Sequence, residues 1–276
     1  MNWLEVRVRC PHSHGRDAIV AALVAAGAAG VQELDDGLQT HLPADAPIAD
    51  VEAAVRAAGG DATIDYSDVG DIDWVTRWPA RVGIQRVGRI AVAPPWLADD
   101  IAAAEIPIVI EPATAFGTGE HETTRGILAL MQRVVRPGDV IADLGAGSAV
   151  LSIAAAKLGA SRVAAVEIDE QAIGNAEENV ARNGVARTVT VIEGDAAVLL
   201  PLLAPVRVIL ANIISSVILE LARTMRDALT PDGRAIISGI LVTERETVLE
   251  ALRALDWKLE AELAEGDWWS AEIAKR

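Results

Sequence analysis

The spacing of apolar and polar positions changes along the chain, and the changes predict its elements. Leu4, Val6 and Val8 alternate with Glu5, Arg7 and Arg9, the two-residue period of a half-buried strand. Asp17 to Ala26 predicts a helix that stops at Gly27. Two short strands near 31–34 and 38–41 flank Asp35-Asp36-Gly37, a hairpin-type turn. Ile48 to Ala58 reads as a second helix closed by Gly59-Gly60, and Ala62 to Tyr66 as a last strand. The order β-α-β-β-α-β is that of a ferredoxin-like sandwich. Residues 1–68 are therefore expected to form a small α+β domain, with substrate docking as its role. Residues 69–105 read as a connector with some structure of its own. In it Trp74 and Trp78 share one face if helical and are expected to pack between domains, and Arg89 to Ala93 is a strand ended by Pro94-Pro95.

From residue 106 to 276 the pattern becomes a regular alternation of strand and helix. Strands are predicted at 106–110, 140–142, 162–166, 189–193, 206–211 and 235–238, with two more near 257–263 and 268–273. Asp169 is placed to cap a helix running to Asn183, and Ser216 to cap one with Ile218, Leu221, Met225 and Leu229 on its apolar face. Thr230-Pro231-Asp232-Gly233 is a turn by composition. Such alternation implies a doubly wound, mostly parallel sheet that binds ligands at the carboxyl ends of its strands. Asp143, Glu167, Asp195 and Asn212 all fall at such ends.

Composition narrows the class. Hydrophobic residues make up 51% of the chain and aromatics 3%, so the core must be aliphatic. No apolar run is long enough to span a bilayer, and Met1 to Arg9 alternates as a strand rather than forming an apolar leader. A single cysteine, Cys10, excludes an internal disulfide and fits a cytoplasmic protein. The formal net charge of −16 argues against direct nucleic-acid binding and permits a basic protein partner. His12, His14 and His41 have no ligand companions at metal spacing, so no metal site is expected.

The chemistry gathers at Val140 to Val150, which reads V-I-A-D-L-G-A-G-S-A-V. An apolar strand ends in Asp143, Gly145 and Gly147 allow a sharp turn and close ligand approach, and a run of good helix formers follows. Val150 stands where a dinucleotide fold carries its third glycine. A carboxylate at Asp143 would repel a pyrophosphate but can pair with an ammonium. Glu167, twenty-two residues beyond Gly145, lies near the spacing at which an acidic side chain accepts from ribose hydroxyls. A ligand with a ribose, a cationic end and no diphosphate is S-adenosylmethionine. Two roles stay open for Asp143, the methionine ammonium or the turn's own N–H groups; Asp195 can meet the adenine amine or remain an exposed turn residue. Upstream, Phe116 to Thr124 is glycine-interrupted, rich in hydroxyls and leads into a helix, where N–H groups can hold a carboxylate. Within it His121 reads better as a structural hydrogen-bonding residue than as a base.

Taken together these stretches resemble a Class I S-adenosylmethionine-dependent methyltransferase, and more closely the ribosomal protein L-eleven methyltransferase family. The family's F-G-T-G-x-H-x-T-T stretch is present as Phe116 to Thr124, and its glycine motif as Asp143 to Ser148. Its acidic strand end is Val166 to Asp169, and its A-N-I stretch is Ala211 to Ile213. The resemblance covers nearly the whole chain. It implies a Rossmann-like catalytic domain and a ferredoxin-like N-terminal domain that grips the ribosomal protein. It also implies methylation of lysine ε-amines, with an N-terminal α-amine as a further acceptor. Thr124, Gly145, Glu167 and Asn212 are then the expected cofactor contacts, with Asp143 and Gly147 completing the turn. Asn212 is the expected catalytic residue, its amide orienting a neutral acceptor amine. Glu120 and Glu122 depart from the family's usual threonine and proline, Glu167 from the commoner aspartate, and Ala149 from a frequent glycine. The rival readings are a nicotinamide-dependent dehydrogenase, a catalytically silent binding protein, and a methyltransferase for another basic protein.

Overall fold

Val6 and Val8 are fully buried, as their alternation with charged neighbours requires, and they centre the first of three sheets. In the computed structural model, residues 3–10, 16–28, 31–34, 37–43, 46–58, 63–69, 83–111, 117 and 119–276 are described. The chain divides into two compact units, 1–81 and 82–276. The first contains β1 (Trp3–Arg9), α1 (Arg16–Ala25), β2 (Val31–Leu34), β3 (Gly37–Pro43), α2 (Ile48–Ala58) and β4 (Thr63–Val69). Its antiparallel sheet has the order β2-β3-β1-β4, and Ile19, Leu23, Val51 and Val55 of the two helices pack against it. This is the ferredoxin-like sandwich that the element order predicts. The turn at Asp35-Asp36, the Gly59-Gly60 stop, His12, His14, Trp74 and Trp78 lie outside the described residues.

The second unit begins earlier than the alternation suggested. β5 (Gln85–Val87) and β6 (Ile90–Ala93) join β7 (Ile106–Val109) in a three-stranded sheet, so residues 85–105 belong to the second unit rather than to a connector. The reason is burial. All four residues of β6 are buried, so both of its faces need cover. As the sequence suggested, Pro94-Pro95 ends it, leading into a short 3-10 turn over Pro95–Asp100.

The main sheet follows through α3 (Glu122–Val134), β8 (Val140–Leu144), α4 (Val150–Lys157), β9 (Arg162–Glu167), α5 (Glu170–Arg182) and β10 (Val189–Glu193). It continues with α6 (Ala196–Leu203), β11 (Val206–Asn212), α7 (Ser215–Ala228), β12 (Leu229–Leu241), α8 (Arg245–Ala254), β13 (Trp257–Glu265) and β14 (Trp268–Lys275). The strand order is β10-β9-β8-β11-β12-β14-β13, the first five parallel and β14 antiparallel to both of its neighbours. Side chains alternate between two cores, as a period of two requires. Ile141, Val163, Ala165, Val208 and Leu210 face α3, α4 and α5, whereas Ala142, Leu144, Ile209 and Ala211 face α6, α7 and α8.

Two local expectations fail for identifiable reasons. Helix α7 starts at Ser215 with Ile214 as an N-cap that makes no side-chain bond, so Ser216 does not cap it. Thr230 to Gly233 does not end a strand. Val206 pairs with Leu229 and Val208 with Arg234, so the turn residues are accommodated as an irregularity inside β12.

Helix α3 lies tightly on β14. A Cβ at Gly126 would overlap the Ser270 hydroxyl, which is itself buried and bonded to Ser238 Oγ at 2.7 Å. Gly126→Ala is therefore expected to lower stability by about 1–3 kcal/mol, the usual cost of overpacking. It would appear as a lower urea midpoint at unchanged slope; an unshifted midpoint would show that this seam has room.

Candidate functional site

Period-two alternation puts Asp143, Glu167 and Asn212 on one face of the sheet. Asp143 follows Ile141, Glu167 follows Ala165 and Asn212 follows Leu210, all members of the core under α3, α4 and α5. Their strands are adjacent, with Ala211 of β11 opposite Leu144 of β8 and Leu144 opposite Val166 of β9. The three side chains therefore share one edge, at the carboxyl ends of neighbouring strands, where an α/β sheet binds ligands.

The glycine turn closes this edge. Gly145 has φ +72° and Gly147 φ +51°, left-handed values that glycine adopts without strain. The N–H groups of Gly145 and Ala146 both donate to Val166 O, at 2.9 and 3.0 Å. The Gly147 N–H donates to Glu167 Oε2 at 2.8 Å. Glu167 Oε1 accepts from the N–H groups of Ile168 at 2.8 Å and Asp169 at 3.0 Å. Its carboxylate is thus fixed by three backbone donors, and its orientation is set before any ligand arrives. A Cβ at Gly145 would meet Ile213 Cγ2 at 2.5 Å, so the residue after Asn212 lies directly against the turn.

Asp143 is fully buried. Its Oδ2 accepts from Ser152 Oγ at 2.6 Å, while its Oδ1 has no hydrogen-bond partner. Burial pushes its carboxyl up to about 7, against the opposing pull of the Ser152 bond and with a smaller push from the nearby Glu167 charge. An unpartnered buried carboxylate oxygen costs about 1–3 kcal/mol, and such costs concentrate where a ligand can relieve them.

Thr124 enters from the first turn of α3 and is completely buried. Asn212 Nδ2 donates to its Oγ1 at 3.4 Å, which leaves Asn212 Oδ1 to accept from an incoming N–H. His121 is the N-cap of α3: its Nδ1 accepts from Thr123 N at 3.3 Å and lies 2.8 Å from Thr123 Oγ1. This is the structural role the sequence favoured. Asp169 caps α5 as expected, accepting from Gln171 N at 2.9 Å. Asp195 caps α6 through Ala197 N at 2.8 Å, so at least one of its carboxylate oxygens serves the helix. Glu122 lies 3.6 Å from Arg125. Its own backbone N–H first, and then Arg125 and His121, hold its carboxyl below the usual range.

The sequence reading overlooked three asparagines. Asn175, Asn179 and Asn183 form a stripe at four-residue spacing along and just beyond α5. Asn183 exchanges bonds with the Val109 N–H and C=O, at 2.9 and 2.6 Å, as a neighbouring strand would. The buried Asn179 accepts from Glu111 N at 2.9 Å and donates to Ser148 O at 3.2 Å. Ser148 Oγ in turn donates to Gly117 O at 2.7 Å. The two glycine-rich stretches are thereby tied to each other. The available signal was three asparagines on one helical stripe, since asparagine is a poor residue for a helix interior.

With this geometry in place, likeness to known proteins is informative. A family model described as Ribosomal protein L11 methyltransferase (PrmA) matches residues 38–276. A Ribosomal protein L11 methyltransferase of Thermus thermophilus is 37% identical over 254 residues, covering 91% of this chain and 92% of the relative. One from Symbiobacterium thermophilum is 33% identical over 316 aligned residues and covers all of both chains. The crystal structure of a ribosomal protein L11 methylase from Lactobacillus delbrueckii subsp. bulgaricus superposes with a TM-score of 0.63 at 29% identity. It covers 70% of this chain and 98% of that one. Motif, fold and likeness agree, and the chain belongs to the ribosomal protein L11 methyltransferase family.

Proposed function

We propose that this chain is an S-adenosylmethionine-dependent methyltransferase that modifies lysine ε-amines of ribosomal protein L11, the substrate printed in its relatives' names. The observation that carries the reading is the edge where Asn212-Ile213 lies against the Gly145 turn above the unpartnered Asp143 oxygen. The residues fit the cofactor: Gly145 takes a left-handed turn that a side chain would strain and press against Ile213, and Asp143 keeps a buried oxygen for a donor. Bound there, S-adenosylmethionine supplies a methyl carbon on a sulfonium whose positive charge passes to the acceptor nitrogen.

The protein's own work is binding, orientation and exclusion of water. Asp143 pairs with the methionine ammonium. The Glu167 carboxylate, already held by three N–H groups, accepts from ribose hydroxyls through its remaining lone-pair capacity. Ile168, 71% exposed immediately beyond it, offers an apolar face to the base. Gly147 completes the turn, and Thr124 fixes the Asn212 amide so that Oδ1 orients the acceptor amine. That amine must enter neutral, since a lysine of pKa about 10.4 is mostly protonated in water. Asn212 positions it and takes no proton. Of the two glutamates that depart from the family pattern, Glu122 is paired with Arg125 in an exposed contact at 3.6 Å, which leaves the surroundings acidic and suited to a basic protein. The ferredoxin-like domain of residues 1–68, within the first unit, is proposed to hold that substrate. A ribosomal substrate also supports a cytoplasmic location, and among the described residues no helix is long and apolar enough to cross a membrane.

Incubation with methyl-labelled S-adenosylmethionine and a cell extract should label one band, identified as ribosomal protein L11; label on another protein would overturn the substrate. Asn212→Ala is expected to lower turnover about a hundredfold, the cost of a misplaced reactant. Calorimetry on the same variant separates any loss of cofactor affinity, and undiminished turnover removes Asn212 from the mechanism. Gly145→Val should abolish measurable cofactor binding in a variant whose circular dichroism stays native; normal affinity would put the ligand elsewhere.

Asp143 gives a pH signature. Its folded value of about 7 lies above the ordinary 3.8. Between these limits the folded chain holds a proton that the unfolded chain has lost, so stability falls as pH rises through the window. A ligand ammonium reverses the preference. Cofactor affinity should therefore rise as pH passes upward through about 7. In Asp143→Asn both dependences should flatten and affinity should drop. A pH-independent parent measured by calorimetry would leave Asp143 with the turn alone.

A further inference from the structure

Three large apolar side chains stand exposed beside Asn212: Ile214 at 64%, Leu241 at 39% and Val242 at 41%. Ile214 opens α7, while Leu241 and Val242 lie at the end of β12. One carboxylate holds these segments together. Glu244 Oε1 accepts from Ser215 Oγ at 2.8 Å, and its Oε2 accepts from Leu241 N at 3.0 Å. The strip continues across the sheet. Leu241 is the register partner of Trp268 on β14, whose ring meets the His121 ring edge-on at 5.0 Å. Val242 N donates to Asp267 O at 2.8 Å. An apolar rim thus runs from the Asn212 loop to the N-cap of α3, held by hydrogen bonds at Glu244 and Asp267 and by the ring contact at His121.

Its surroundings are acidic. Glu120, Glu122, Glu265 and Asp267 flank the Trp268 end. Of the guanidiniums lining the cleft at Trp268, Arg125 is engaged by Glu265 at 2.8 Å and Glu122 at 3.6 Å, and Arg86 by Glu105 at 2.9 Å. An apolar floor inside a negative field suits a polypeptide with apolar and basic side chains. It repels a second copy of this chain, whose net charge is −16.

We propose that the Ile214–Leu241–Val242 rim is where the protein substrate lays the segment carrying its acceptor lysine, with Glu244 as the positioning residue that keeps the rim's two halves in register. The inference rests on the methyl-transfer reading and adds to it a surface of the catalytic unit. The rim's apolar side chains cover the residues flanking that lysine rather than the lysine stem, so the segment is held in place before its amine reaches Asn212.

The test uses the full-length protein with Leu241→Ser, Val242→Asp and Glu244→Gln. For purified ribosomal protein L11, kcat/KM should fall at least tenfold in the first two variants and by a smaller factor in the third. Cofactor affinity by calorimetry and methyl transfer to a small acceptor, N-acetyl-lysine amide, should stay within twofold for Leu241→Ser and Val242→Asp. Unchanged kcat/KM for the protein acceptor would overturn the proposal. So would an equal loss with the small amine, because the rim would then only support the fold. A change in sedimentation without a change in kcat/KM would make the rim a self-association face, which also overturns it. Failure of the underlying reading looks different, since the parent would then neither bind S-adenosylmethionine nor label L11. In that event L11 affinity measured by anisotropy still reads the rim, and equal values for parent and Val242→Asp would remove it.

Discussion

Three consecutive backbone N–H groups, those of Gly145, Ala146 and Gly147, are fastened to the end of β9 through Val166 O and the Glu167 carboxylate. The rest of the site depends on this attachment. It sets the height at which β8 stops, holds Glu167 in one orientation and presents the turn to the crevice between β8 and β11. A cost appears two residues beyond Gly147. Ala149 is driven into the left-handed region at φ +65°, a conformation worth about 1–2 kcal/mol against an L-residue. The chain tolerates this because Ala149 is fully buried and its N–H is bonded to Ala146 O at 2.8 Å. The strain comes with an extra methyl group in the core.

Two carboxylates on the same edge meet opposite environments, and their roles follow. Glu167 receives three N–H donors and is anchored as an acceptor. Asp143, one strand away, is held by Ser152 through Oδ2, while its Oδ1 is unpartnered among the described residues. Two acidic side chains at two depths thus differ in how far they are satisfied, and the fold, rather than the total charge, decides which.

Supports farther out keep this geometry. Asn179 and Ser148 join the glycine turn to the segment leading into α3. The α3 helix carries Thr124, and Thr124 meets Asn212. The Asn179–Ser148–Gly117 bonds at the turn and the Asn212–Thr124 bond at the end of β11 thus brace the same edge from two sides. Tight packing at Gly126 holds the same helix against β14, so Thr124 has little freedom to drift.

Much of this was legible in the sequence, and the reason is periodicity. Alternation along β1 placed Val6 and Val8 in the core, apolar runs marked β8 to β11, and Asp143, Glu167 and Asn212 could be read at strand ends; that the three share a face follows from the strand register. The glycine motif, the Asp169 cap and the His121 cap are local features, readable because each involves only a few neighbouring residues. The structure alone decided what depends on distant partners. It moved residues 85–105 into the second unit, because the fully buried β6 needs cover supplied by elements far along the chain. It absorbed Thr230 to Gly233 into β12, because pairing with β11 outweighs local turn preference. It revealed the asparagine stripe and the orphan oxygen of Asp143, since neither hydrogen-bond partners nor their absence can be read from spacing. Local geometry is written in neighbouring residues; satisfaction of buried polar groups is settled only when the chain closes on itself.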